Sequence, residues 1–310
     1  MDAADDRRKA TRNVTLLSIG VAATLVAIKL VVWLIGRSDS ILASASDSGL
    51  DLFGSTMNFF AVRWAAAPPD REHRFGHGKG EAFASLLQAG LVFASAAIVG
   101  EEAVRHLISP HAVAFEAWGV VVMVISIALT SGLLVAQTRF LKNAASVAVS
   151  ADRTHFAADL ASNVIALVAI ALAWVGLRWA DALGGLGVAA VLLWGAVGVF
   201  REGSDQLLDH ELRDEDRRKI VELMTSDPAI RHIHQLRTRA SGPIVHIQMH
   251  ADMDPDLTLE AAHKKVVAAE KRVLGAFPDA DILIHPDPEG RAEPHGGAFG
   301  EALQRAEETQ

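Results

Sequence analysis

The chain is 310 residues long, 51% hydrophobic and free of cysteine, which excludes disulfide staples and thiolate metal sites and leaves His and carboxylate as possible metal ligands. Its net charge of −8 lies in the tail: Gly203 to Gln310 carries 21 acidic against 13 basic residues, while Met1 to Glu202 carries 16 of each. No long Lys/Arg run exists to hold a polyanion, so nucleic acid is not an expected partner, and an acidic tail suits cations better.

Apolar stretches of about 20 residues, long enough to cross a bilayer, run near Val14 to Gly36, Ile41 to Ala66, Ala82 to Leu107, Val113 to Gln137, Val147 to Val175 and Ala180 to Phe200. Six transmembrane helices are therefore predicted. The segment before them has no short apolar core followed by a small-residue cleavage site, and is expected to be retained. Arg7, Arg8, Lys9 and Arg12 precede the first span, Arg63, Arg71, Arg74 and Lys79 separate spans two and three, and Arg139, Lys142 and Arg153 flank the connection from four to five. The opposite connections carry only Arg37, Arg105 and Arg178. This bias predicts cytoplasmic N- and C-termini. Lys29, inside span one, must snorkel or find a partner, and a structural role is the simpler reading.

Spans two and five are the least apolar, because they carry Asp47, Ser48 and Asp51, and His155, Asp159 and Asn163. Asp47 and Asp51 stand at i and i+4, on one helix face with Cβ atoms about 6 Å apart; His155 and Asp159 repeat that spacing. Each ionised Asp at mid-bilayer costs on the order of 2.5 to 3.5 kcal/mol, so three unpartnered ones approach roughly 10 kcal/mol. A divalent cation would offset that cost, and three carboxylates with one imidazole form a plausible tetrahedral set for zinc. The plainer alternative is polar contacts between helices. Protons compete with metal for such ligands, so His155 is a candidate to exchange a proton for the ion.

Pro68-Pro69 and the glycines Gly76, Gly78 and Gly80 mark a loop between spans two and three. Within it, Asp70, His73 and His77 form D-x2-H-x3-H, a candidate loop metal site; a phosphate-cradling reading is weak without G-x4-G-K-[ST]. After Phe200 the pattern becomes that of a small α/β unit: helix from Leu212 to Met224, strands from Ile230 to Ala240 and Pro243 to Ala251 joined at Ser241-Gly242, helix from Leu257 to Phe277, and strand from Ala280 to His285. The order αββαβ predicts a ferredoxin-like, metallochaperone-like α+β domain. Eight of the thirteen histidines lie in this tail. The domains expected are a cytosolic N-terminal segment (1–12), a six-helix transmembrane domain (13–202), a cytosolic metal-binding α+β domain (203–288) and a disordered tail (289–310).

These residues together carry a resemblance: D-x3-D on span two, H-x3-D on span five, the D-x2-H-x3-H loop with Phe75-Gly76-His77-Gly78-Lys79, and the histidine-bearing αββαβ tail. From about Arg12 to Asp287 the chain resembles a cation diffusion facilitator, close to the bacterial members of the ferrous-iron/zinc efflux type. The resemblance implies a homodimeric inner-membrane antiporter that exports Zn2+ in exchange for protons by alternating access, with Cd2+, Fe2+ and Mn2+ as alternative ions. By motif it implies a transport site of Asp47, Asp51, His155 and Asp159, and a loop site of Asp70, His73 and His77. It implies a cytosolic cluster of His234, His250, His263, His285 and Asp287 at the dimer contact, and a charge pair, Lys79 and Asp209, that holds the dimer. His210, His232, His246 and His295 have no counterpart in it. An intramembrane metalloenzyme is disfavoured because no H-E-x2-H motif occurs and four protein ligands would close the site to catalysis. A metal sensor would leave the midplane carboxylates unexplained.

Overall fold

The computed structural model describes residues 3–36, 39–108, 117–142, 146–174 and 179–291. It divides into two compact units, Met1–Asp205 and Gln206–Gln310.

The first unit is built from α1 (Ala3–Gly36), α2 (Asp39–Ala65), α3 (Lys79–Ile108), α4 (Ala117–Leu141), α5 (Val147–Trp174) and α6 (Trp179–Leu207). Among the described residues, four of these helices are long and apolar enough to cross a membrane: α1, α3, α4 and α6. The other two, α2 and α5, are long enough to cross one, and they are the helices that carry the candidate ligands. Helix ends lie beyond the apolar stretches. Residues 3–12, expected as a separate segment, continue α1, and α6 runs on past Phe200 to Leu207. Hydrophobicity marks only the lipid-facing part of a helix, whereas the backbone hydrogen-bond ladder continues into water. Arg153, which flanks the connection from four to five, lies in the first turns of α5, inside the predicted fifth span.

α1 packs on α2 and α4, and α5 packs on α2, α3 and α4. α6 joins through Val188, Leu192 and Ala196 against Val92 and Ala96 of α3 and Ala158 of α5. Small residues bring these helices close: a Cβ at Gly185 would stand 2.9 Å from the Ala103 methyl. The start of α3 is tight for the same reason, since a Cβ at Gly80 would lie 3.0 Å from the Trp64 ring of α2. Outward faces carry large apolar side chains such as Ile35, Phe60, Ile98 and Trp194, as helices facing lipid should.

The second unit contains α7 (Asp214–Thr225), β1 (Ile230–Ser241), β2 (Ile244–Met253), α8 (Leu259–Ala276) and β3 (Ala280–Pro288), the predicted αββαβ order. The sheet runs β1-β2-β3, with β1 antiparallel and β3 parallel to β2. Gly242 takes a positive φ of 57° in the two-residue hairpin, which suits the twist of the flanking strands. Acidic Asp214, Glu215 and Asp216 open α7, where the helix dipole favours them, and Thr258 caps α8 by accepting from the Ala261 N–H. The core joins Ile220 and Met224 of α7 and Ala269 and Val273 of α8 to Ile233, Ile247, Met249 and Ala251 of the sheet. The helices therefore cover one face. A bulge after His234, where Gln235 has φ 49°, interrupts the β1–β2 ladder. The disordered tail expected from residue 289 falls, from 292 onward, outside the described residues, as does His295.

Candidate metal centres

Among the described residues, three groups of His and carboxylate side chains bring ligand atoms within 4.8 Å of one another: Asp51 with His155 and Asp159, Asp70 with His73 and His77, and His234 with His250 and Asp287. All nine residues were named from sequence.

In the first group, His155 Nε2 lies 2.9 Å from Asp51 Oδ1 and 3.7 Å from Asp159 Oδ2. The i, i+4 spacing on α5 sets His155 and Asp159 on one face, and the packing of α5 on α2 brings Asp51 to meet them. His155 is buried, with its ring edge-on to Phe156. Asp159 Oδ2 is buried and accepts no hydrogen bond among the described residues. A buried carboxylate oxygen without a donor is costly unless a cation meets it. Asp47, one turn earlier on α2, is exposed and stands outside this group of three.

Below this group lies a polar network that the motifs did not reveal. Asp152, wholly buried, accepts from Ser55 Oγ at 3.2 Å and from Gln137 Nε2 at 2.8 Å, and Gln137 also reaches Ser18 Oγ at 3.2 Å. Four helices, α1, α2, α4 and α5, are thereby tied together three residues before His155. Asn58 adds a bond from Nδ2 to the Ala148 carbonyl at 3.1 Å. Their only sequence signal is polarity within apolar helices.

In the loop, the Asp70 carboxylate accepts from the His73 and Glu72 backbone N–H groups at 2.6 and 2.9 Å. Those bonds, with the His73 N–H foremost, hold the carboxyl below its usual range. His77 Nε2 lies 3.4 Å from Asp70 Oδ2 and His73 Nδ1 lies 3.5 Å from Asp70 Oδ1. The two imidazole rings are 4.4 Å apart beside Trp64. His77 Nδ1 is buried without a hydrogen-bond partner among the described residues.

In the second unit the register places His234, His250 and His285 on one rung across β1, β2 and β3, with Asp252 and Asp287 paired two residues further along β2 and β3 on the same face. Asp287 is the hub. Its carboxylate lies 2.8 Å from His250 Nδ1, 3.4 Å from His234 Nε2 and 3.3 Å from His285 Nε2. Burial lowers the pKa of His250, against the pull of Asp287, and so favours the neutral imidazole that a metal binds. His285 sits at the exposed edge of this group, and His263, on α8, is exposed and outside it. His246, left out of the sites, has Nδ1 3.0 Å from Asp281. Of the expected charge pair, Lys79 opens α3 in the first unit, while Asp209 in the second takes a hydrogen bond from Arg239 Nη1 at 3.0 Å.

The cation efflux transmembrane domain matches residues 15–208, and the cytoplasmic domain of cation efflux proteins matches residues 212–289. The cation-efflux pump FieF of Cronobacter sakazakii is 39% identical over 268 residues, covering 86% of this chain and 89% of that protein. FieF of Shewanella oneidensis is 38% identical over 271 residues, covering 87% and 92%. Among solved structures, the metal-bound C-terminal domain of the CzcD transporter from Thermotoga maritima matches 26% of this chain and 100% of that chain, at 24% identity and a TM-score of 0.25. With two domain models spanning nearly its whole length and close relatives along it, the chain belongs to the cation efflux family of multi-pass membrane transporters, and is not an enzyme.

Proposed function

We propose that the protein exports a divalent transition-metal ion, Zn2+ first among them, from the cytosol across the inner membrane in exchange for protons. All six helices of the first unit span the bilayer in this reading, with both chain termini in the cytosol. The ion is held by Asp51, His155 and Asp159, and by Asp47 once α2 closes toward α5. The observation that carries the reading is the orphaned Asp159 oxygen facing a His155–Asp51 contact of 2.9 Å between α5 and α2. Oxygen and imidazole ligands suit zinc, and their need to shed protons on binding supplies the coupling. Alternating access follows if the two arrangements of α2 and α5 differ in their affinity for ion and proton.

The two outer groups have secondary roles in this reading. Asp70, His73 and His77 form a cytosolic loop site. His234, His250, His285 and Asp287, with His263, form a cluster that strengthens a homodimer when metal binds, assisted by Lys79 and Asp209. Support comes from the buried hub at Asp287 and from the match to a cytoplasmic dimer domain. The test is Zn2+ flux into proteoliposomes with a pH dye inside. Wild-type flux with opposite proton movement, both abolished in Asp51→Ala, is the expected result. Equal flux in that variant would reject the intramembrane site, and flux without proton movement would reject antiport.

A further inference from the structure

Lys29 of α1 is buried at 7% exposure, and its Nζ donates to Ser48 Oγ at 2.7 Å and to the Ser44 carbonyl at 3.1 Å. Both acceptors belong to α2. Ser44 and Ser48 are a turn apart and share a stripe; Asp47 and Asp51 form the adjacent stripe, three residues on from each serine. The ammonium therefore rests beside the carboxylate stripe with no ion pair to any of these carboxylates among the described residues. A lysine at this depth is expensive. One placed only to bind α1 to α2 would do so at lower cost as a neutral donor.

We propose that Lys29 is the fixed counter-charge of the intramembrane metal site, a positioning residue that sets ion affinity and release without touching the ion. The inference rests on the assignment of Asp47, Asp51, His155 and Asp159 to that site. Three carboxylates and a divalent ion leave one uncompensated negative charge in a medium of low dielectric, and a nearby ammonium cancels it. The serine tether matters because it keeps the ammonium off the carboxylates, where it would compete with the ion outright. Held at a distance, it weakens the grip on the ion enough for release, the compromise that any permeation site requires.

The test uses the full-length purified protein, with Zn2+ as the probe in binding measurements and in proteoliposome flux. Lys29→Gln keeps an N–H donor toward Ser48 but removes the charge; Lys29→Arg keeps the charge. Lys29→Gln is expected to tighten the Zn2+ binding that Asp51→Ala removes by about tenfold, and to lower KM and kcat together, with Lys29→Arg near wild type. Ser48→Ala, which frees the ammonium to approach the carboxylates, is expected to weaken binding, and gives a second readout should Lys29→Gln fail to fold. Unchanged or weaker binding in Lys29→Gln, equal behaviour of the Gln and Arg variants, or lowered thermal stability in Ser48→Ala with unchanged affinity would overturn the inference. A wild-type protein without Zn2+ binding sensitive to Asp51→Ala would instead overturn the site on which it rests.

Discussion

His155 of α5 and Asp51 of α2 meet at 2.9 Å although 104 positions separate them in the chain. The imidazole supplies the one nitrogen in a set of oxygens. Carboxylate oxygen suits manganese as well as zinc, whereas imidazole tilts the choice toward zinc. His155→Asp is therefore expected to lower Zn2+ transport by about tenfold or more and to raise transport of Mn2+ relative to Zn2+. Flux of each ion, alone and in competition, checks this. A Zn2+ to Mn2+ preference unaltered by the substitution would remove His155 from the selectivity of the site.

The candidate ligands stood out in the sequence because helical spacing is a local property. Asp47, Asp51, His155 and Asp159 advertise themselves as charges at i and i+4 in apolar helices, and nothing about the tertiary fold is needed to see it. The partners of Lys29 and Asp152 were not legible, because they depend on which helices become neighbours. Ser55 and Gln137 reach Asp152 from 97 and 15 positions away, and no motif records that convergence. In the second unit the strand alternation carried the histidines to one sheet face. The bulge at Gln235 and the meeting of three strands at Asp287 required the register. Helices run beyond the apolar stretches where the sequence turns polar before the helix stops, as at the start of α1 and the end of α6.

Asp152 accepts hydrogen bonds from Ser55 and Gln137 on different helices, and a substitution that removes it strands the Ser55 hydroxyl and leaves Gln137 Nε2 with Ser18 Oγ as its remaining acceptor. Asp152→Ala is expected to lower unfolding stability by about 1 to 3 kcal/mol for the stranded donor. Zn2+ affinity at the Asp51 site should stay within a few fold, because Asp152 lies outside the group of ligand atoms. Thermal melting of purified protein and Zn2+ titration separate the two effects. Loss of affinity without loss of stability would make Asp152 a ligand.

Metal-free protein should lose stability in the second unit as pH falls below about 6.5, the ordinary histidine value. The sign follows from His250, whose pKa burial lowers in the folded state. Below the unfolded value the unfolded chain then binds more protons than the folded one, so stability declines as pH drops and levels off once the folded pKa is passed. Proteolytic protection of β1 to β3 in urea, at pH 7.5, 6.5 and 5.5, measures this. His250→Asn should flatten that part of the profile; an equally steep profile would assign the effect to other groups.

Asp287 contacts three histidines, so a neutral replacement of the same shape tests the cluster with least disturbance. Asp287→Asn keeps an oxygen that can accept from His250 but removes the negative charge that a divalent ion would neutralise. Zn2+ affinity of the second unit is expected to fall by about a hundredfold, the upper range for losing a group around a metal. Flux at saturating Zn2+ should persist, since Asp51, His155 and Asp159 belong to the other unit. What should change is the Zn2+ concentration giving half-maximal flux, because a cytosolic ion can bias transport only through its different affinity for the two states. Binding titration and flux on the same preparation decide the matter. A weakened cluster with unaltered concentration dependence of transport would confine this metal site to holding the fold or the dimer together.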